Sequence, residues 1–568
     1  MSGPSVDRVR AAYRLIATAD RPELWITLRA EVDVIVEAEA IDARVAAGER
    51  LPLAGLVAAV KDNIDAAGLR TTAASATFAY HADIDSTAVA RLRASGAIIL
   101  GKTNLDQFAT GLVGTRSPWG AVRNAWAPDR ISGGSSSGSA VAVALGIVDV
   151  ALGTDTAGSG RVPAALNGIV GVKLTRGLIP TTGVVPACRT LDCVTIFARD
   201  LALARLVAEL LAGEDGLDPL ARDDAERARF GTPVLPARPR VAIPTPEHLD
   251  GLADGWREAF AAAVARLAAT GVEIVEVDIA PLLDAAALLY SGAFVAERFA
   301  AVGTHIAAHT KQVGADLDPS VAEIVLGSAK ITAVELFDDM ERLSRLRTAG
   351  QLALEGTDAL LTPTTTWHPT LAEVAAEPIA TNSRMGRYTN FANLLDQSSI
   401  AVPGGTVDGL PFGVMFTGPA FHDHAIAELA ERMLAPRIDI LVIGAHLTGQ
   451  PLNHQLVAAG GSMTSEVRTS PDYKLFALAT TPPKPGLLRV SNGGVSIRGE
   501  LWNLSARGFG TFVAAVPTPM TIGTVALDDG RTVSGFLCEA IATIDAEDIS
   551  AHAGWLAWRA HAESLSFK

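Results

Sequence analysis

The stretch from Ile131 to Gly168 restricts this chain more than any other. It reads as a Gly/Ser loop (ISGGSSSGSA, 131–140), a small-residue helix (SAVAVALG, 139–146), an apolar strand (IVDVALGTD, 147–155) and a tight turn entering a second helix (TAGSGRVPAALNG, 156–168). Helix and strand follow one another directly, which is the rhythm of a layered α/β domain with a mostly parallel sheet. The rhythm continues on both sides. LAGLVAAVKDNID (53–65) is a short apolar strand ending at Lys61, STAVARLRASG (86–96) a helix with Ser86 as N-cap and Gly96 as its stop, and AIIL (97–100) a buried strand. RVAIPTP (240–246), an amphipathic helix at 254–270, VEIVEVDI (272–279) and DALLTPTT (358–365) carry the same alternation. Residues 5–48 alternate apolar and charged positions at helical spacing and read as outer helices.

The texture changes near residue 436. From ILVIGAHL (440–447) onward, short strand-like runs (YKLFALAT, VSIRGELWNL, TPMTIGTVAL, TVSGFLCEA) are separated by PPKPG, NGG and DDG turns. The expectation is an α/β domain over 1–436 and a β-rich domain over 437–568, joined by the short LAPRID segment. A chain of 568 residues calls for more than one domain, and 49% hydrophobic with 19% charged residues fits a packed enzyme rather than a disordered chain. The formal net charge of −15 excludes the broad basic face that nucleic acid requires, and an anionic substrate would need a local cation. Three cysteines, Cys188, Cys193 and Cys538, are too few and too odd in number for a disulfide framework. The opening MSGPSVDRVRAAYRL has no apolar signal core, and no apolar run reaches membrane-spanning length. A cytoplasmic, reducing setting and no membrane partner are expected.

Taken residue by residue, the motifs leave alternatives. GGSSSGSA is either a surface turn or an anion cradle at a helix N-terminus; no GK[ST] follows, so it is not a P-loop. In GTDTAGSGR the N–H groups of Thr156, Ala157, Gly158 and Ser159 could converge on an oxyanion, with Gly158 supplying backbone freedom; an ordinary strand-to-helix turn has the same composition. A serine nucleophile needs a base. No histidine lies near these motifs, which leaves Lys61, one of only eight lysines. Burial in LVAAV would lower its pKa, and a drop of about three units corresponds to roughly 4 kcal/mol. The alternative is a structural lysine paired with Asp62 or Asp65. HIAAH (305–309) has metal-compatible spacing but lacks a zinc-protease glutamate and a third ligand, so it reads as structural. Asp423 in FHDH is placed to cap the following helix, and Cys188 and Cys193 read as two packed thiols.

Lys61 in AVKDNID, Ser135 in GGSSSGSA and Ser159 in GTDTAGSGRVPAA, with the serines 24 apart, together resemble the amidase signature family, as do KTNLDQFA (102–109) and LPFGVMFTGPAFHD (410–423). The likeness covers roughly residues 20–435. It implies a large mixed sheet covered by helices on both faces, no cofactor and no metal. It also implies a Ser-Ser-Lys triad: Ser159 attacks an amide carbonyl, Ser135, on a cis peptide bond, relays the proton, Lys61 is the base, and the N–H groups of 156–159 hold the oxyanion. TAGSGRVPAALNGIVG, GLIPTTGVVPACRTLDCV (177–194) and the domain opening GAHLTGQPLN are similar to the subgroup that hydrolyses allophanate, a small anionic amide. That resemblance implies carboxylate binding by Tyr290 and Arg298 in YSGAFVAER, placed two helical turns apart on one face, and Gly111 as a wall of a small pocket. Without it, the preferred reading of Arg298 is an exposed helix residue paired with Glu297 or a neighbour. The resemblance further implies ammonia release followed by loss of carbon dioxide, a homodimer built through the first domain, and association with a urea carboxylase or with cyanuric-acid pathway enzymes. Malonamate is the alternative substrate. The C-terminal domain resembles the gamma-glutamyl cyclotransferase fold and is implicated in decarboxylation, with His446 and His454 as candidates; hydrogen-bonded turn histidines are the plainer reading of both.

Overall fold

Five consecutive residues, Val57 to Lys61, are fully buried. Only a strand covered on both faces does this. The computed structural model describes residues 3–566, and in it this strand lies inside an eleven-stranded sheet. Its strands are β1 (Trp25–Leu28), β2 (Val57–Lys61), β3 (Ile98–Thr103), β4 (Val150–Asp155), β5 (Val170–Lys173), β6 (Cys193–Ala198), β7 (Arg240–Pro244), β8 (Glu273–Val277), β9 (Ala359–Pro363), β10 (Ser398–Val407) and β11 (Leu410–Gly418). Their spatial order is β1-β3-β2-β4-β6-β5-β10-β11-β9-β7-β8. The pairs β2–β3, β2–β4, β7–β8 and β7–β9 are parallel; the other pairings are antiparallel. The sheet is therefore mixed, as the family resemblance implies, and the mostly parallel sheet read from the alternation alone is corrected. Helix–strand alternation is interrupted where β5–β6 and β10–β11 pair without a helical crossover, and those pairs set the antiparallel centre.

Alternate residues of β2 face opposite ways. Val57 and Ala59 join a core with Val6, Val9 and Ala12 of α1 (Pro4–Ala19), Val34, Ala38 and Ile41 of α2 (Glu31–Ala46), and the small residues Ala140–Val143. Between α1 and α2 the chain forms β1, which the helical reading of 5–48 misses; four residues pairing antiparallel with β3 are too short for a period to register. Ser86 caps α3 (Thr87–Ala94), its Oγ accepting from Val89 N at 3.2 Å. Asp423 is not a cap. It is the first residue of its helix, and its carboxylate accepts from Thr175 N and Thr175 Oγ1 at 2.7 Å each, because that turn offers it two donors at once.

The residues up to Val264 together with Glu273–Glu431 form one compact unit, and Arg432 onward with Ala265–Val272 a second. The second holds β12 (Arg437–Val442), β13 (Ser462–Arg468), β14 (Arg498–Ser505), β15 (Met520–Ala526) and β16 (Thr532–Cys538) in the order β13-β14-β12-β16-β15, beside a smaller three-stranded sheet. Ile440, Val442, Leu475, Leu487, Trp502, Leu504 and Trp555 form its own core.

Candidate active site

The ends of two neighbouring parallel strands place the first groups. Val60 of β2 pairs with Leu152 of β4, which brings Lys61, the last residue of β2, level with Gly153 and next to Thr154. Lys61 Nζ donates to Thr154 Oγ1 at 2.7 Å and to Ser135 Oγ at 2.7 Å. Its neighbours in sequence are spoken for: Asp62 pairs with Lys102 at 2.9 Å, and Asp65 accepts from Thr71 and Tyr80. Lys61 is thus a buried amine with no carboxylate ion-pair partner among the described residues. Burial brings its pKa down to about 7, partly opposed by the more distant Asp106, Asp192 and Asp155.

Ser135 comes from the Gly/Ser loop that opens α4 (Ser137–Ala144). The loop's serines do separate jobs. Ser136 Oγ donates to Thr154 O (3.1 Å) and accepts from Thr154 N (3.3 Å), fastening the loop to β4, while Ser137 and Ser139 bond to backbone carbonyls of Asn104 and Leu152. Ser135 is left to meet Lys61. The Gly134–Ser135 peptide is cis. A side chain at Gly134 would lie 2.1 Å from Asp106 Oδ2, so glycine is obligatory there.

Ser159 sits in the turn between β4 and α5 (Arg161–Asn167), 2% exposed. The turn is wound around Asp155. Its carboxylate accepts from Gly158 N at 2.8 Å, Gly160 N at 2.9 Å and the Arg161 guanidinium at 2.8 and 2.9 Å. Burial pushes Asp155 upward, but the Arg161 charge and these donors outweigh it and hold the carboxyl below the usual range. One expectation is corrected here: the Gly158 N–H is committed to Asp155. The N–H groups of Thr156, Ala157 and Ser159 make no hydrogen bond among the described residues, which leaves three donors beside the nucleophile. Gly158 instead serves by its φ of +134°, and an added Cβ would lie 2.3 Å from Thr389 Oγ1.

Ser159 Oγ donates to Gly111 O at 3.4 Å, not to Ser135. Gly111 closes the turn that also carries Ala109 and Thr110, and these hold Arg298: its Nη1 donates to Ala109 O at 3.3 Å and to Thr110 Oγ1 at 2.9 Å. Nη2 donates to Tyr290 Oη at 3.0 Å. Arg298 is 1% exposed, its Nε has no partner, and no carboxylate forms an ion pair with it among the described residues. Tyr290 and Arg298 do meet, but not along one helix. α6 (Ala280–Ser291) stops at Gly292 and the chain bends by 44° before the helical turns that hold Arg298. Glu297 accepts from Thr190 instead of pairing with Arg298.

Several positioning residues carry no motif of their own. Asp192 accepts from Thr156 Oγ1, Ala187 N and Cys188 N; Asn393 donates to Asp155 O at 2.8 Å; Thr389 donates to Ala157 O at 2.7 Å. Only Asp192, two residues after RT and directly before a buried strand, has a local signal, as an isolated acid at a strand start. Cys188 and Cys193 are buried, unpaired thiols here, and burial pushes Cys188 up to about 12. His305 and His309 stack on one another, centroids 4.2 Å apart. In the second unit His446 stacks on Phe536 at 5.0 Å, meets Gln455 Oε1 at 3.0 Å, and lines a cavity of about 260 Å³ with Lys484 and Phe512. His454 is absent from that lining; it lies in the short helix Asn453–Ala458, and its Nδ1 donates to Pro451 O at 2.9 Å.

Comparison with known proteins matches residues 7–427 to the family model "Amidase" and residues 438–560 to "Allophanate hydrolase C-terminal domain". The urea amidolyase of Saccharomyces cerevisiae is 41% identical over 554 residues, covering 91% of this chain and 30% of that protein. The chain therefore spans about a third of the length of these relatives. A glutamyl-tRNA(Gln) amidotransferase subunit from Symbiobacterium thermophilum is 36% identical over 440 residues, 72% of this chain and 88% of its own. Among solved structures, Kluyveromyces lactis allophanate hydrolase is 38% identical with a TM-score of 0.70, covering 98% of this chain and 97% of that one.

Proposed function

We propose, from the premise that this chain belongs to the amidase family and ends in an allophanate hydrolase C-terminal domain, that it hydrolyses allophanate through an acyl-enzyme on Ser159. The observation that carries this reading is Arg298. A guanidinium in a dry interior, with no carboxylate beside it and the Nε of one edge left without an acceptor, is unfavourable unless an anion completes it. A planar carboxylate matches that edge. The same turn that holds Arg298 also accepts from the nucleophile, so anchor and reacting oxygen face one small amide.

In the proposed reaction Ser159 Oγ turns from Gly111 O to Ser135 and attacks the terminal carbonyl carbon. Its proton passes to Ser135 Oγ as the Ser135 proton passes to the neutral form of Lys61 Nζ, which burial makes accessible by lowering the pKa to about 7. The N–H groups of Thr156, Ala157 and Ser159 take the developing oxyanion. Collapse breaks the C–N bond, the proton returns through Ser135 to the leaving nitrogen, and ammonia departs. Water, activated by the same relay, then attacks the carbamoyl ester and releases N-carboxycarbamate. That product loses carbon dioxide to give carbamate and, from it, a second ammonia. The cavity that His446 lines is our candidate for the decarboxylation. We further propose that the protein works as a cytoplasmic homodimer and receives allophanate from a urea carboxylase; its likeness to urea amidolyases supports a place in urea breakdown.

The test is ammonia release from fresh allophanate, with malonamate, biuret, urea and an aliphatic amide alongside. Turnover confined to allophanate, absent in Ser159→Ala and with kcat/KM lowered at least about a hundredfold in Arg298→Ala, supports the reading. A folded protein that cleaves another amide and ignores allophanate would retain the triad and lose the substrate. Light scattering at working concentration tests the dimer.

A further inference from the structure

Gln107 takes no part in the chemistry above, yet it is fully buried and its side-chain amide is used at both ends. Nε2 donates to Ala74 O at 2.5 Å and to Asp316 O at 2.6 Å, and Oε1 accepts from Asp318 N at 2.9 Å. One amide therefore ties together three segments distant in sequence: the loop at 73–77, the turn at 107–111, and the loop at 314–318 beyond the helical turns that carry Arg298. A carboxylate in its place would face two carbonyls with no proton to give.

The two backbones joined here share an unusual conformation. Ala73 and Ala74 have φ of 48° and 61°, and Phe108 and Ala109 have φ of 50° and 52°. Non-glycine residues visit this left-handed region singly and unfavourably. Two such pairs bonded to one another, Phe108 N donating to Ala73 O at 2.9 Å, persist only where the surroundings over-determine them. The surroundings are Gln107 and Asp316, whose carboxylate accepts from Ser75 Oγ, Ala76 N and Thr77 N.

The turn held in this way is the wall that both ends of the site share. Ala109 O and Thr110 Oγ1 receive Arg298, and Gly111 O receives Ser159 Oγ. Any shift of the turn alters the separation between guanidinium and nucleophile. Resting on the carboxylate-anchor reading, we infer that Gln107 is a positioning residue that fixes this separation. It thereby sets the length of anionic amide accepted: one in which a single atom lies between the scissile carbonyl and the carboxylate.

The test uses two dicarboxylates as rulers on the full chain. Malonate has the one-atom spacer and succinate has one methylene more. Calorimetry gives Kd for each on the native protein, on Gln107→Glu, and on Gln107→Met, which keeps the length of the side chain and removes its three hydrogen bonds. The native protein is expected to prefer malonate by about tenfold or more, the scale of one methylene in a fitted pocket. In Gln107→Glu, with Tm within a few degrees of native, the malonate-to-succinate ratio is expected to fall toward one, and kcat/KM for allophanate to fall about tenfold. Should Gln107→Glu fail to fold, Gln107→Met decides, with the malonate-to-succinate ratio again expected to fall toward one. A native ratio retained in the folded variant overturns the role of Gln107 and leaves the carboxylate anchor standing. A native protein that binds neither dicarboxylate overturns both.

Discussion

A buried amine held between two hydroxyls, with no carboxylate to pair with, is an expensive thing for a fold to keep. Lys61 is in that position, and two measurements follow from it. If neutral Lys61 is the base, kcat/KM should rise with pH through an apparent pKa near 7, the value to which burial brings it, and level off above. Replacing it should also stabilise the protein. Lys61→Met is expected to be inactive and more stable near neutral pH by about 1–2 kcal/mol, read from chemical denaturation. The sign of its pH dependence is fixed. Between about 7 and the unfolded value near 10.4 the unfolded chain holds the proton that the folded chain has lost, so native stability climbs with pH and the advantage of Lys61→Met shrinks. An advantage that grows with pH would contradict the buried-base assignment.

At the scale of elements, the turn between β4 and α5 depends on one ion pair. Arg161 and Asp155 are both fully buried, 2.8 Å apart, and Asp155 also gathers two N–H groups of the turn. Arg161→Met strands a buried carboxylate and should cost about 3–5 kcal/mol in denaturant unfolding. Gly158→Ala should abolish turnover with less loss of stability, since its Cβ would strike Thr389 at a φ that disfavours L residues. Much of this region is legible in sequence. The strand to Lys61, the Gly/Ser loop and the nucleophile turn are contiguous segments whose residue types declare their geometry. What escapes a sequence reading are relations closed only in space. Asp155 reads as part of a motif, and its claim on the Gly158 N–H depends on a side-chain rotamer. Asn393, Thr389 and Asp192 reach the turn from distant segments. A helical period would pair Tyr290 with Arg298, but the chain breaks that period at Gly292; they meet across the break, the Arg298 guanidinium 5.2 Å from the centre of the Tyr290 ring. The antiparallel centre of the sheet is equally invisible, because strand order is decided by which edges meet and not by any strand's own pattern.

The whole molecule has two units, each with its own apolar core. Scanning calorimetry is expected to resolve more than one unfolding transition, with malonate raising the transition of the amidase unit and leaving the other in place. A single transition shifted as a whole would show the units to unfold together. The placement of the thiols turns this into a clock. Cys188 and Cys193 lie unpaired in the core beside the nucleophile turn, and Cys538 lies unpaired in the second unit. A native chain should therefore be almost silent to a thiol reagent. The rate at which each cysteine becomes labelled reports how often its own neighbourhood opens, two hands timing the catalytic unit and a third timing the domain that follows it.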